Sequence, residues 1–172
     1  MFLFVAILPT QQNFFYKNKT QKWVQEFKPH LITEQDVAHE IKTGKMVWYG
    51  KDLHGRPILN LRTRYHIPSD TTPESMFKYM IYMAELGMQM LPPPPYNQFI
   101  MISDRLGTTR KNFDPNTFKR IGAIANYYPE TLGNILVVGA NWIFWLVHKF
   151  VSTFLDPVTM GKMILLSNDE EK

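Results

Sequence analysis

The side chains best suited to acid–base or metal chemistry are five histidines, at positions 30, 39, 54, 66 and 148. No two stand at the spacing that would aim a pair of imidazoles from one helix face at a metal ion. They read as surface or solvated histidines. The acids are no better arranged: Glu34 and Asp36 suit the first turn of a helix, and Asp169, Glu170 and Glu171 form an acidic tail. There is no cysteine, which removes disulfides, thiolate metal sites and thiol nucleophiles together and fits a reducing compartment. Glycine-rich phosphate loops and the GxSxG elbow are absent. Nothing pairs a nucleophile with its base, so no catalytic residue, metal or cofactor is expected.

A different chemistry is concentrated in GANWIFWLVHKFVSTFLDP, residues 139–157. Taken as a helix from Trp142 to Leu155 at about 100° per residue, it gathers Ile143, Leu146, Val147, Phe150, Val151, Phe154 and Leu155 on one broad face. His148, Lys149, Ser152 and Thr153 share the other. A membrane-spanning helix would bury that lysine near its centre at about 2.5–3.5 kcal/mol. An amphipathic surface helix carries no such cost. Trp142 and Trp145 project toward the polar arc, where either a neighbouring element or a membrane interface would satisfy their apolar bodies and N–H tips.

The elements around this helix follow from the pattern. A chain of 172 residues, 45% hydrophobic and 20% charged, suits one globular domain. Its net charge of +4 favours acidic membrane surfaces more than nucleic acid. The N-terminal MFLFVAIL is too short to cross a bilayer and lacks the basic start and small-residue end of a signal peptide. A short helix is expected from Thr20 toward Pro29, with Trp23 and Phe27 on one face, and a second from Thr33 to Gly44. KMVWYG and PILNLR flank a glycine-containing turn as a hairpin. Thr72-Pro73 opens the longest helix, in which Glu74, Lys78, Glu85 and Gln89 share a polar arc and the methionines supply an apolar face. Pro92–Pro95 ends it as a rigid connector. QFIMISD and NILVVGA are strands apolar on consecutive positions, hence expected to be covered on both faces. Between them Asp114-Pro115 caps a helix to Tyr127, and KMILLS closes the chain as a strand. Strands alternating with helices predict an α/β fold with a mixed, largely parallel sheet.

Several of these segments, in order, resemble the CRAL-TRIO lipid-binding family, including its phosphatidylinositol/phosphatidylcholine transfer branch. The segments are Asp52-Leu53-His54-Gly55-Arg56-Pro57, Ser103-Asp104-Arg105-Leu106-Gly107, Tyr128-Pro129-Glu130 with Thr131-Leu132-Gly133, Ala140-Asn141-Trp142-Ile143-Phe144, and Phe154-Leu155-Asp156-Pro157 through Lys162. The resemblance implies a sheet flooring an apolar lipid pocket closed by a gate helix. It implies a domain from 20 to 167, after an extension at 1–19 and before the tail at 168–172, without the helical bundle that usually precedes it or the last strand. In the phosphatidylinositol-binding branch, the glutamate of Tyr-Pro-Glu and a lysine soon after Leu-Asp-Pro bind the headgroup. Glu130 and Lys162 hold those positions, with Thr109 a third candidate. On the residues alone, a simple Glu130–Lys162 ion pair is the competing interpretation.

The same resemblance places Trp142, Ile143, Trp145, Leu146, Lys149, Phe150 and Phe154 on the gate and its membrane contact. It places Met76, Met80, Met83, Ile100, Ile102, Leu136 and Val138 on the pocket wall. Departures are Thr131 where relatives often have arginine, Asn141 where they commonly have proline, and the basic run Thr108–Lys111, which argues against phosphatidylcholine. The implied protein is a cytoplasmic, peripherally membrane-associated monomer that binds a phospholipid, phosphatidylinositol first, and transfers it. The alternative is a lipid-sensing or protein-interaction module that does not transfer.

Overall fold

A computed structural model of the chain describes residues 18–128, 130–153 and 157–166. Expectations for residues 1–17, Phe154 and the acidic tail lie outside the described residues. Helices α1 (Asn18–Phe27) and α2 (Ala38–Lys42) precede a five-stranded sheet in the order β1-β2-β3-β4-β5. β1 (Met46–Lys51) runs antiparallel to β2 (Pro57–Arg62), while β3 (Phe99–Asp104), β4 (Leu132–Val138) and β5 (Met163–Leu166) continue parallel to β2. This is the mixed, largely parallel α/β sheet expected from the pattern.

The hairpin turn explains its own sequence. Asp52 Oδ1 accepts the backbone N–H groups of His54 and Arg56 at 2.9 Å each, and Oδ2 accepts Arg56 Nε at 2.6 Å. Gly55 supplies the left-handed φ of +77° that closes the turn.

Parallel strands adjacent in both sequence and space are joined by crossovers, and right-handed crossovers place all their helices on one side. Those helices are α3 (Pro73–Met90), α4 (Pro115–Tyr127), and the pair α5 (Trp142–Val151) and α6 (Pro157–Gly161). Leu59 packs with Val37 and with Met76, Tyr79, Met80 and Met83 of α3. Ile135 and Val137 pack under Phe144 of α5, and Ile143, Val147 and Val151 pack against Phe113 and Phe118. Met101 contributes to both sheet clusters. Its neighbours Ile100 and Ile102 point to the opposite face and join none of these clusters. β3 was expected to be covered on both faces. Ile100 is nonetheless 5% exposed, so this second face is covered there, although the described helices pack against the other one.

Buried polar groups fasten this half of the molecule. Glu40 and Lys45, 0% and 2% exposed, form an ion pair, and Glu40 also accepts from Thr71 Oγ1 and from Ser75 Oγ at 2.7 Å. Burial alone would raise the Glu40 carboxyl. The bonds from Lys45, Thr71 and Ser75 outweigh it and hold the group below its ordinary range. Two expectations fail here. Glu85, placed on the solvent arc of α3, is buried, and the Tyr128 hydroxyl donates to it at 2.6 Å. His66 is buried rather than solvated, its Nε2 3.1 Å from Asp114 Oδ2, while Asp114 also caps α4 through the N–H groups of Asn116 and Thr117 at 3.1 Å. Trp48 donates from Nε1 to the Met83 carbonyl at 3.0 Å and packs against Gly87, where a side chain would collide with the indole. Among the described residues no helix is long and apolar enough to cross a membrane.

Candidate functional site

The carboxyl end of β4 turns into α5 through Asn141. Its Oδ1 accepts the N–H groups of Ile143 and Phe144 at 3.1 and 3.2 Å, and its Nδ2 donates to the Thr108 carbonyl at 3.1 Å. One asparagine therefore caps α5 and ties its start to the loop after β3, neither of which a proline side chain at 141 could do.

α5 sorts its side chains sharply. Ile143, Phe144, Val147 and Val151 are buried, and Phe150 packs beside them half-buried. Trp142, Trp145 and Leu146 remain 55%, 52% and 47% exposed. With the exposed Lys149 they follow the i, i+3, i+4, i+7 spacing of a single outward stripe. Leu146, expected on the inner face, turns outward because Phe144 takes the inner place against Ile135 and Val137. Beside the stripe lies a groove of about 340 Å³ lined by Arg110, Phe113, Trp142, Ile143 and Leu146. The Arg110 guanidinium sits 5.1 Å from the Trp142 ring, so apolar and cationic groups share this surface. On the other flank, Phe144 meets Trp145 and His148, and Arg105 reaches its ring.

The headgroup candidates divide between the two ends of the sheet. Glu130 precedes β4 with a left-handed φ of 60°, its side chain exposed and its carbonyl accepting Gln98 Nε2 at 3.2 Å. Lys162 precedes β5 and donates from Nζ to the Leu132 carbonyl at 2.7 Å. Both thus stand at the amino ends of neighbouring strands. They form no ion pair with each other; the lysine is spent on a backbone carbonyl instead. Thr109 follows the carboxyl end of β3, roughly 20 Å away by strand length, and caps the turn Arg110–Asn112 through its bonds with Asn112.

The wall candidates also separate. Met76, Met80 and Met83 are packed into the core between α3 and the sheet, whereas Ile100, Ile102, Leu136 and Val138 share the opposite sheet face. Arg105, Arg110, Phe113 and Phe144 are not among the site candidates read from the sequence, where Arg105 and Phe144 appear only within family motifs and Arg110 only in a basic run. Arg110 and Trp142 lie 32 positions apart, and no local pattern announces such a contact. The described residues contain no cluster of histidine and acidic side chains able to hold a metal ion.

Comparison with known proteins adds family evidence to this geometry. A family model described as the CRAL/TRIO domain matches residues 41–172. A CRAL-TRIO domain-containing protein of Schizosaccharomyces pombe is 30% identical over 140 residues, covering 81% of this chain and 31% of the relative. Phosphatidylinositol transfer protein CSR1 of Eremothecium gossypii is 28% identical over 131 residues, covering 76% of this chain and 30% of the relative. This chain thus spans about a third of the length of those two relatives. The crystal structure of Sfh5 superimposes with a TM-score of 0.69 at 18% identity, covering 86% of this chain and 56% of that one, which establishes likeness of fold.

Proposed function

This chain belongs to the CRAL/TRIO domain family, and on that premise we propose that it binds a phospholipid, phosphatidylinositol first, and exchanges it at membranes through displacement of α5. The observation that carries this reading is the outward stripe of α5, where Trp142, Trp145 and Leu146 stay about half exposed above a buried apolar face. Contacts of Trp142 with Arg110 and of Trp145 with Phe144 still leave about half of each indole in water. At a bilayer interface the same rings are satisfied, and Lys149, Arg110 and Lys111 would face acidic headgroups. Lifting α5 would uncover Ile135, Val137, Phe113 and Phe118, apolar surface that a membrane or an acyl chain can cover.

Lys162 and Glu130 would receive the inositol phosphate at the amino ends of β4 and β5. An ammonium has three N–H bonds, and one is used on Leu132, which leaves two for a phosphate. The exposed Glu130 carboxylate can accept from adjacent hydroxyls. The names of CSR1 and of the phosphatidylinositol transfer protein PDR17 of Saccharomyces cerevisiae, 25% identical over 142 residues, support this ligand class. The protein would act as a cytoplasmic monomer, peripheral at membranes and without nucleic acid. The test is extraction of phosphatidylinositol from vesicles by wild type and Lys162→Ala. Wild type is expected to extract it and the variant to lose about tenfold; equal extraction would refute the headgroup assignment. The close packing of Phe144 and Ile143 by the chain's own residues favours a second reading, a module that does not transfer. A stably folded chain that emerges empty from native mass spectrometry supports that one.

A further inference from the structure

Arg105 is a half-buried cation that the proposed headgroup site leaves unused. Its backbone N–H donates to the Val138 carbonyl at 2.9 Å, which fixes it beside the carboxyl end of β4. Its Nε donates to Ser103 Oγ at 3.0 Å, and Ser103 is 2% exposed. Its guanidinium carbon lies 5.7 Å from the centre of the Phe144 ring, in the first turn of α5. An arginine has five N–H bonds. The four on its two terminal nitrogens meet no acceptor among the described residues, and no carboxylate there pairs with it.

The adjacent Asp104 is not available, because it pairs with Arg64 at 2.5 Å. Burial pushes the Arg105 guanidinium down to about 10, so it remains charged at neutral pH. Every other deeply placed charge in the described chain has a partner: Lys45 has Glu40, and Asp114 has His66 and Thr117. A desolvated cation without an anion is unfavourable, and beneath Phe144 a leucine would pack as well without that cost. The free edge formed by Nη1 and Nη2 is a planar two-donor fork, the geometry that matches a carboxylate or phosphate.

We propose that Arg105 receives one oxyanion, a carboxylate or phosphate, carried by a lipid that lies beneath α5. The proposal rests on the lipid-binding reading above and adds a second polar end to the bound lipid's path. Arg105 stands at the carboxyl ends of the strands and Lys162 at their amino ends, roughly 20 Å apart by strand length. One compact headgroup cannot touch both. The ligand class that fits Arg105 is therefore an acidic lipid whose anion enters under α5, the simplest being a free fatty acid.

The experiment presents the purified chain with phosphatidylcholine vesicles containing either oleate or oleyl alcohol, which share a chain and differ in charge. Retained lipid is counted by native mass spectrometry. Wild type is expected to retain oleate about tenfold over the alcohol, and Arg105→Leu to lose that preference while still retaining the alcohol. Arg105→Lys keeps the charge without the fork; an intermediate preference is expected, and it carries the test if leucine is not tolerated. An unchanged oleate preference in either variant overturns the proposal, as does wild type retaining both lipids equally. Retention of neither lipid by wild type overturns the lipid-binding reading and this proposal with it. A parallel thermal unfolding series uses inorganic phosphate alone. If phosphate protects wild type as well as oleate does, and Arg105→Leu abolishes both effects, the ligand is a free anion and the lipid form of the proposal fails.

Discussion

Glu40 and Lys45 are withdrawn from water and meet each other, with Thr71 and Ser75 completing the bonds of the carboxylate. Arg105 stands at the same end of the sheet, following β3 where Lys45 precedes β1, and among the described residues its side chain finds one serine hydroxyl and an aromatic ring. The same contrast runs through the apolar groups. Under α3, Met76, Met80 and Met83 are at most 8% exposed, while on α5 two tryptophans and a leucine stand about half in water. The α3 half is chemically closed, and its closure contributes stability. The α5 half leaves donors and apolar surface unmatched, and unmatched groups are what a ligand or membrane can complete. The two halves should accordingly respond to different perturbations.

The largest effect is expected in the closed half. Lys45→Met strands the buried Glu40 and should cost about 3–5 kcal/mol of folding stability, read from urea unfolding. Adding Glu40→Leu to it should recover most of that loss; no recovery would mean that packing rather than the ion pair holds this corner. Met80→Ala follows, at about 2–5 kcal/mol, because the side chain is core between α3 and Leu59. If Met80→Ala instead leaves stability intact and weakens lipid retention, the contrast between the halves breaks there.

In the open half, replacing Trp142 and Trp145 together by alanine should change stability by less than about 1 kcal/mol and reduce binding to acidic vesicles about tenfold. Co-sedimentation beside a denaturant curve measures both. A variant that loses stability and keeps its vesicle binding would make these rings structural.

The smallest effect is a pH dependence. Burial, helped by the Lys45 charge, pushes His66 below its ordinary value, while the bond to Asp114 opposes the shift. The unfolded chain therefore binds the His66 proton first, and stability falls as pH drops below about 6.5. Below about 4.5 the carboxyls of Glu40 and Asp114, both held low in the fold, add to the loss as they protonate. His66→Gln should flatten the upper part of this profile and leave the lower part; an unchanged slope between pH 7 and 5 would exclude His66 as its source.

Much of the architecture was legible because its signals are local. Thr72, Asp114 and Asn141 cap the three longer helices that follow the hairpin. Gly44 and Gly55 mark left-handed turns, and Asp52 with Arg56 builds the hairpin turn within five residues. The outward placement of Trp142 and Trp145 followed from helical spacing alone. What escaped depended on contacts between distant positions. Glu85 looks solvent-facing on a helical wheel until Tyr128 arrives from 43 residues away. His66 looks solvated until Asp114 does the same across 48 residues. The methionines and the β3–β4 isoleucines, leucine and valine looked like one wall because hydrophobicity does not reveal on which side of a sheet a residue lies relative to a given helix.

The sequence by itself determined the order of strands and helices, their caps and turns, the amphipathic character of α5 and the family. Each depends on residue type within a few positions. Only the tertiary structure decided which charges are matched. It turns one Lys162 N–H to the Leu132 carbonyl rather than to Glu130, joins Glu40 to Lys45, and leaves the Arg105 fork without an acceptor among the described residues. The physical reason is that desolvation and hydrogen bonding act between groups brought together by packing, and the distances along the chain carry no record of them.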